Sequence, residues 1–156
     1  MEWLSWLKSA HSLLRYAVLI TLVYAVLRAL LGFLGKRKFD QSDDKASLWA
    51  MMSCDLQLTL GLILYFVGDL GFNNLRLRAV AEVMKNSVLR FFAVEHILMM
   101  LIAIILVHIG RSKIKKGSSD VARHRSILLF YGIALIIILA SIPWPFRAQF
   151  AGYSWF

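Results

Sequence analysis

The residues of this chain that could do chemistry are its four histidines, which all lie near the ends of long hydrophobic segments. His11 opens the first segment and His96 opens the third, while His108 closes the third and His124 opens the fourth. In helices of alternating direction, this order places two imidazoles near each membrane face. A neutral imidazole is a good ligand of heme iron, so each pair could hold one heme. The same positions are also typical of histidines that bind only water and helix-end groups.

The segments that must position these histidines are long enough to cross a bilayer. The chain has 156 residues, 60% of them hydrophobic, and a mean hydropathy of +0.68, well above that of a soluble domain. A transmembrane helix needs about 20 apolar residues. We predict four such helices, at about 11–34, 47–67, 91–109 and 126–142. The expected fold is therefore all-α, a transmembrane four-helix bundle that forms a single domain over residues 1–156.

The basic residues of the connections predict the orientation of the bundle. One side carries ten of them and the other side five; the ten are Lys36, Arg37, Lys38, Lys45, Arg111, Lys113, Lys115, Lys116, Arg123 and Arg125. Because basic loops stay in the cytoplasm, both termini are expected on the outer side. The same clustering in two short loops argues against a nucleic-acid partner, although the net charge is +9. We therefore expect the lipid bilayer to surround the helices of this chain.

The longest connection lies between the second and third spans, from Asp69 to Arg90. Its middle has apolar residues at helical spacing, including Leu75, Val80 and Val88. This pattern predicts one short amphipathic helix over 75–88 on the outer surface. After the fourth span, the run Pro143-Trp144-Pro145 is expected to end the helix because proline lacks the N–H donor that a helix needs.

Charged residues accompany the two histidines of the outer layer. Arg15 follows His11 by about one turn, and Arg90 and Glu95 precede His96. On the functional interpretation, His11 and His96 are the axial ligands of a heme iron, and Glu95 orients one of the rings. Arg15 and Arg90 could bind heme propionates or a quinone headgroup through charge-assisted hydrogen bonds. On the alternative interpretation, these are interfacial residues without a cofactor.

The inner layer holds His108 and His124, which could ligate a second heme. One geometric feature opposes this, because His96 and His108 are twelve residues apart and so point about 120° apart around an ideal helix. Asp55 lies in the cytoplasmic half of the second span, where a carboxylate is costly. Asp55 either forms a structural pair with another side chain or takes part in a proton relay or in a cofactor site. The candidate partners at its depth are Arg28, Tyr24, Tyr131 and the two inner histidines. Gln57 is assigned to the same half, and Gln57 and Gly61 are predicted to be helix-packing residues.

Five stretches carry a resemblance to a known family. They are HSLLRY at 11–16, QLTLGLILYF at 57–66, VLRFFAVEH at 88–96, IGRSK at 109–113 and IPWPF at 142–146. Together they resemble a family of small four-helix bacterial integral membrane proteins that usually carry the label cytochrome b. The resemblance covers nearly the whole chain. It implies the bacterial inner membrane, heme b in one or two copies, and recurring polar positions at His11, Arg15, Gln57, Arg90, Glu95, His96 and His124.

The chain departs from that family at one position, because relatives often have a histidine where this chain has Asp55. His108 could replace that ligand, or the chain could hold fewer hemes or none. Three functions stay open. The first is a b-type electron-transfer protein linked to a quinone pool or a respiratory partner. The second is a non-catalytic accessory or assembly subunit of a larger membrane complex, without heme. The third is a proton-conducting bundle, which the long apolar belt between the two polar layers disfavours.

Other classes of function have no support in the sequence. The single cysteine, Cys54, excludes a disulfide framework and a cysteine-rich metal site. The chain has no HExxH motif, no phosphate-binding glycine loop and no paired catalytic carboxylates. We therefore do not expect an enzyme that acts alone.

Overall fold

A computed structural model describes residues 2–151, and these residues form helices without any β-strand. Four helical segments are long and apolar enough to cross a membrane: Glu2–Leu34, Gln41–Leu77, Ser87–Lys116 and Asp120–Ser141. The all-helical class and the four spans are thus confirmed. Each segment is longer than predicted at one or both ends because polar and basic residues at the membrane surface continue the helices.

The first two spans are regular over most of their length. Helix α1 covers Glu2–Leu34 and α2 covers Gln41–Val67. Helix α2 begins with a capping box, in which the Asp40 side chain accepts a hydrogen bond from the Asp43 N–H and the Asp43 carboxylate accepts one from the Asp40 N–H. This motif satisfies two N–H groups at the helix end and fixes where α2 begins.

The connection after α2 differs from the predicted single amphipathic helix. It contains three short helices: α3 (Phe72–Leu77), α4 (Val80–Lys85) and α5 (Ser87–Arg90). The prediction of one continuous helix over 75–88 was wrong because the backbone is extended at Arg78, Ala79 and Asn86. The Asn86 side chain accepts hydrogen bonds from the N–H groups of Val88 and Leu89, which starts a new helix at that point.

The third and fourth spans each contain one π-helical turn. The third consists of α5, the π turn Phe91–Glu95 and α6 (His96–Lys116). The fourth consists of α7 (Asp120–Ser126), the π turn Ile127–Tyr131 and α8 (Gly132–Ser141). Such turns insert one residue into a helix and are frequent at functional sites.

Consecutive spans pack side by side around the bundle. Helix α1 packs against α2 and the fourth span, and α6 packs against the same two neighbours. Helices α1 and α6 therefore occupy opposite corners. Small residues such as Ala25, Ala29, Ala50 and Ala103 are buried in the interior and allow the backbones to approach closely. Large apolar side chains cover the outside of the bundle, as lipid contact requires.

Ion pairs close the end of the bundle formed by the first and third connections, which we call the basic end. The Asp43 carboxylate is buried and accepts hydrogen bonds from Arg28 at 2.9 Å and Arg37 at 2.8 Å. The bond to Asp43 raises the pKa of the Arg37 guanidinium. Arg111 donates to the Asp44 carboxylate at 2.7 Å and to the Ser47 hydroxyl at 2.6 Å. These contacts hold α1, α2 and α6 in register.

Candidate functional site

His11 lies within α1 and is held by two residues of α2. The side-chain amide of Gln57 donates to the His11 main-chain carbonyl at 3.0 Å, and the amide nitrogen lies 3.3 Å from His11 Nε2. A Cβ atom at Gly61 would lie 3.1 Å from His11 Cε1, so the glycine gives the imidazole its space. Gln57 was assigned to the cytoplasmic half of its span. That was wrong because α2 begins at Gln41, six residues earlier than predicted, so Gln57 lies beyond its midpoint.

His96 is oriented by a main-chain carbonyl of the fourth span. Its Nδ1 lies 2.8 Å from the Ser141 oxygen. Because a carbonyl only accepts, Nδ1 carries the proton and donates it, and in a neutral ring Nε2 then keeps its lone pair. A histidine that ligates a metal is commonly fixed in this way by its second nitrogen. His96 directly follows the first π turn, and the Phe91 ring lies 5.6 Å from its imidazole.

Arg15 lies about one turn after His11 on α1, close enough to both outer histidines for its charge to act on them. Its side chain is buried and interacts electrostatically with both His11 and His96, which also interact with each other. Its guanidinium carbon is 5.2 Å from the centre of the Tyr16 ring. These interactions connect side chains of α1 with His96 at the start of α6, and the two helices stand at opposite corners of the bundle. We call His11, Arg15, Gln57 and His96 the His11–His96 cluster.

Arg90 and Glu95 were predicted to serve the same layer, but the structure pairs them with each other. Arg90 Nε lies 2.6 Å from the Glu95 carboxylate, and Arg90 also donates to the Met84 carbonyl. Neither residue contacts His96 through a hydrogen bond within residues 2–151. Consecutive residues of a helix point about 100° apart, so Glu95 faces outward where His96 faces inward. The orienting partner of His96 is Ser141, not Glu95.

The two inner histidines are not brought together. His108 Nε2 lies 2.7 Å from the Asp55 carboxylate, on the side of α6 that faces α2. His124 is fully buried, and its Nε2 donates to the Arg37 carbonyl at 3.2 Å. The His124 ring packs directly on Gly32 of α1 and lies 5.2 Å from the Phe39 ring. The predicted inner ligand pair is therefore not formed, because the two side chains leave their helices toward different neighbours.

One partner in the site was missed by sequence reasoning, although a signal for it exists. The carbonyl of Ser141 would normally accept from the N–H of residue 145, four positions on, but Pro145 has no N–H. Helix α8 ends at Ser141, and Ile142 is extended. The carbonyl is thus free to accept from His96. The spacing from serine to proline could have indicated an acceptor at this depth.

Two buried polar atoms of the cluster have no hydrogen-bond partner within residues 2–151. They are Nδ1 of His11 and Oε1 of Gln57. Buried polar atoms are usually satisfied, so each such exception calls for a physical explanation. The described residues contain no group of three or more metal-ligating side chains. Two neutral imidazoles from opposite helices could, however, together hold a heme iron.

The fold and the composition together define a multi-pass helical membrane protein with four spans. Comparison of the chain with protein-family models, curated proteins and solved structures found no match. The family resemblance of the five sequence stretches therefore stays a prediction. The function is inferred from the His11–His96 cluster.

Proposed function

We propose that this chain is a b-type heme electron-transfer protein of the bacterial inner membrane, with both termini on the outer side and a quinone pool or respiratory partner as its redox partner. The observation that carries the proposal is the hydrogen bond from His96 Nδ1 to the Ser141 carbonyl. It leaves Nε2 of a half-buried imidazole with a lone pair, near a second imidazole from the opposite corner of the bundle.

The cluster fits heme if the Gln57 amide releases His11 Nε2, because its N–H can only donate to the nitrogen that would bind the iron. His11 and His96 come from α1 and α6, two helices at opposite corners of the bundle, and cofactor sites in helix bundles are built from side chains of facing helices. Gln57 fixes the main chain at His11, and Gly61 leaves room for its ring. The charge of Arg15 suits the carboxylates of heme propionates. A bound heme b would supply one-electron oxidation and reduction, and the protein would tune it through these two ligands and their burial.

The experiment is a measurement of heme content in the purified full-length protein and in single-histidine variants. We expect His96→Ala and His11→Ala to lose the heme while circular dichroism still reports the helical bundle. His124→Ala is the matched control, since it also removes an imidazole from a span but one that is packed on Gly32. Equal heme content in all variants would refute the ligand assignment.

The same measurement decides between the proposal and its alternative. If the parent protein contains no heme when it is produced in heme-replete cells, the electron-transfer proposal fails. The chain would then be better described as an accessory or assembly subunit of a larger membrane complex. In that case the His11–His96 cluster would serve to hold the helices in register in the half of the bundle opposite the basic end.

A further inference from the structure

The Asp55–His108 pair lies on the outside of the bundle, between two of the helices that are long and apolar enough to cross a membrane. The two side chains meet at 2.7 Å between α2 and α6 and are 41% and 50% exposed. Relative to the contact between Arg111 and Ser47, His108 lies about one turn and Asp55 about two turns further into the spans, roughly 5–12 Å. The pair therefore lies deeper in the spans than the ion pairs of the basic end.

The surroundings of this pair are apolar. Met52 and Leu56 on α2 and Ile105 on α6 are all more than half exposed and are expected to contact lipid. Ionisable groups in a membrane span normally face the interior of the protein or a polar cavity. Here the paired groups face outward, so a group that reaches them must arrive through the lipid.

The atoms that the pair leaves available define the ligand chemistry. Nε2 of His108 faces Asp55, while Nδ1 has no hydrogen bond within residues 2–151, and neither does the second oxygen of Asp55. In the neutral ring, Nδ1 accepts a hydrogen bond from a hydroxyl group. In the protonated ring, Nδ1 donates to a carbonyl oxygen. The site can therefore bind the same ligand atom as a hydroxyl or as a carbonyl.

We propose that the Asp55–His108 pair binds the headgroup of a lipid-soluble quinone and its hydroquinone. These molecules carry an oxygen that changes between carbonyl and hydroxyl, and their apolar tails lie among the acyl chains. A partner helix fits the surface less well, because Met52, Leu56 and Ile105 are bulky whereas contacts between transmembrane helices are enriched in small residues. The use of the site in electron transfer rests on the proposed function, whereas binding itself does not.

The test uses the full-length protein in lipid nanodiscs with an azido-benzoquinone probe that carries a short alkyl tail. Light-activated labelling is expected on α2 and α6 and is expected to be displaced by decylubiquinone. Asp55→Asn and His108→Phe should each weaken binding at least about tenfold, the loss expected for a hydrogen bond to an ionisable group. Tyr24→Phe is the matched control, because it changes a polar, exposed side chain on α1 and should leave binding unchanged.

Several results would overturn this proposal. They are unchanged binding in both variants of the pair, labelling confined to other helices, or a co-purifying membrane protein whose association is lost in both variants, which would indicate a partner helix. Heme content measured on the same preparations separates the two proposals. Pair-dependent quinone binding without heme refutes the proposed function alone, and heme without pair-dependent binding refutes this site alone.

Discussion

Replacement of Gly32 by alanine should destabilise the bundle because of one close contact at its basic end. A Cβ atom at Gly32 would lie 2.3 Å from Cε1, 2.5 Å from Nε2 and 2.7 Å from Nδ1 of His124. An ordinary contact is 3.4–4 Å, so the ring would have to move by about 1 Å. His124 is fully buried beside the Phe39 ring, and such a shift would break its hydrogen bond to the Arg37 carbonyl.

The cost of this substitution follows from three effects. Overpacking a buried site costs about 1–3 kcal/mol. Loss of the His124 hydrogen bond, with the imidazole left buried, costs about another 1–3 kcal/mol. Alanine gains about 1 kcal/mol over glycine in a helix. We therefore expect Gly32→Ala to lower the free energy of unfolding by about 1–4 kcal/mol, since partial relaxation of the ring reduces the upper limit.

The assay is unfolding by SDS titration of the protein in detergent micelles, followed by far-ultraviolet circular dichroism. Gly132→Ala is the matched control, because a Cβ atom there meets nothing within 4 Å apart from its chain neighbours and its own helix backbone. It should keep or slightly increase stability. The double variant Gly32→Ala/His124→Ala should be less destabilised than the sum of the single variants, by about 1 kcal/mol or more. Equal stability of the two alanine variants, or simple additivity in the double variant, would refute the close contact.

Three further predictions concern the basic end and the orientation. Tyr131→Phe should cost about 1–2 kcal/mol of unfolding free energy, because the buried hydroxyl donates to the Ser47 carbonyl at 3.0 Å; no change in the same titration would contradict this. Asp43→Asn should cost about 2 kcal/mol of unfolding free energy, less than the loss of a fully buried ion pair, because the arginine partners of Asp43 reach water. Asp40→Asn should cost under about 1 kcal/mol, since asparagine also caps a helix. A larger loss of stability in Asp40→Asn than in Asp43→Asn would contradict this ranking. A tag at the C-terminus should be labelled in intact cells whose outer surface is accessible, and labelling only after permeabilisation would overturn the predicted orientation.

The four spans could be predicted because each one is a long apolar run, and lipid allows few other structures for such a run. Their ends were less predictable. The span that contains Gln57 was expected from residue 47, whereas the Asp40 capping box starts α2 at Gln41. Because α2 was expected to start later than it does, Gln57 was placed at the wrong depth and its contact with His11 was not predicted. Hydropathy locates the apolar part of a helix but not the polar turns that extend it.

The outer histidines could be proposed from the sequence because the positions of His11 and His96 in their spans set their depth. The direction in which each histidine points could not be read in the same way. His108 and His124 lie at similar depths but face different helices, because the direction of each side chain is set by its position around its own helix. The π turn Ile127–Tyr131 lies between His124 and α8, and no residue pattern predicted it. Contacts to main-chain atoms, such as those of Ser141 and Arg37, depend on where helices end and are therefore invisible to side-chain patterns.

The central claim is that His11 and His96 together hold one heme between opposite corners of the bundle. The most direct measurement is a reduced-minus-oxidised visible spectrum of the full-length protein purified in detergent from heme-replete cells, with a stoichiometry from heme extraction. The spectrum should show the sharp bands of a b heme with two imidazole ligands, with one heme per chain, and these bands should all be lost in His96→Ala. A spectrum without heme bands, or bands that persist unchanged in His96→Ala, would contradict it.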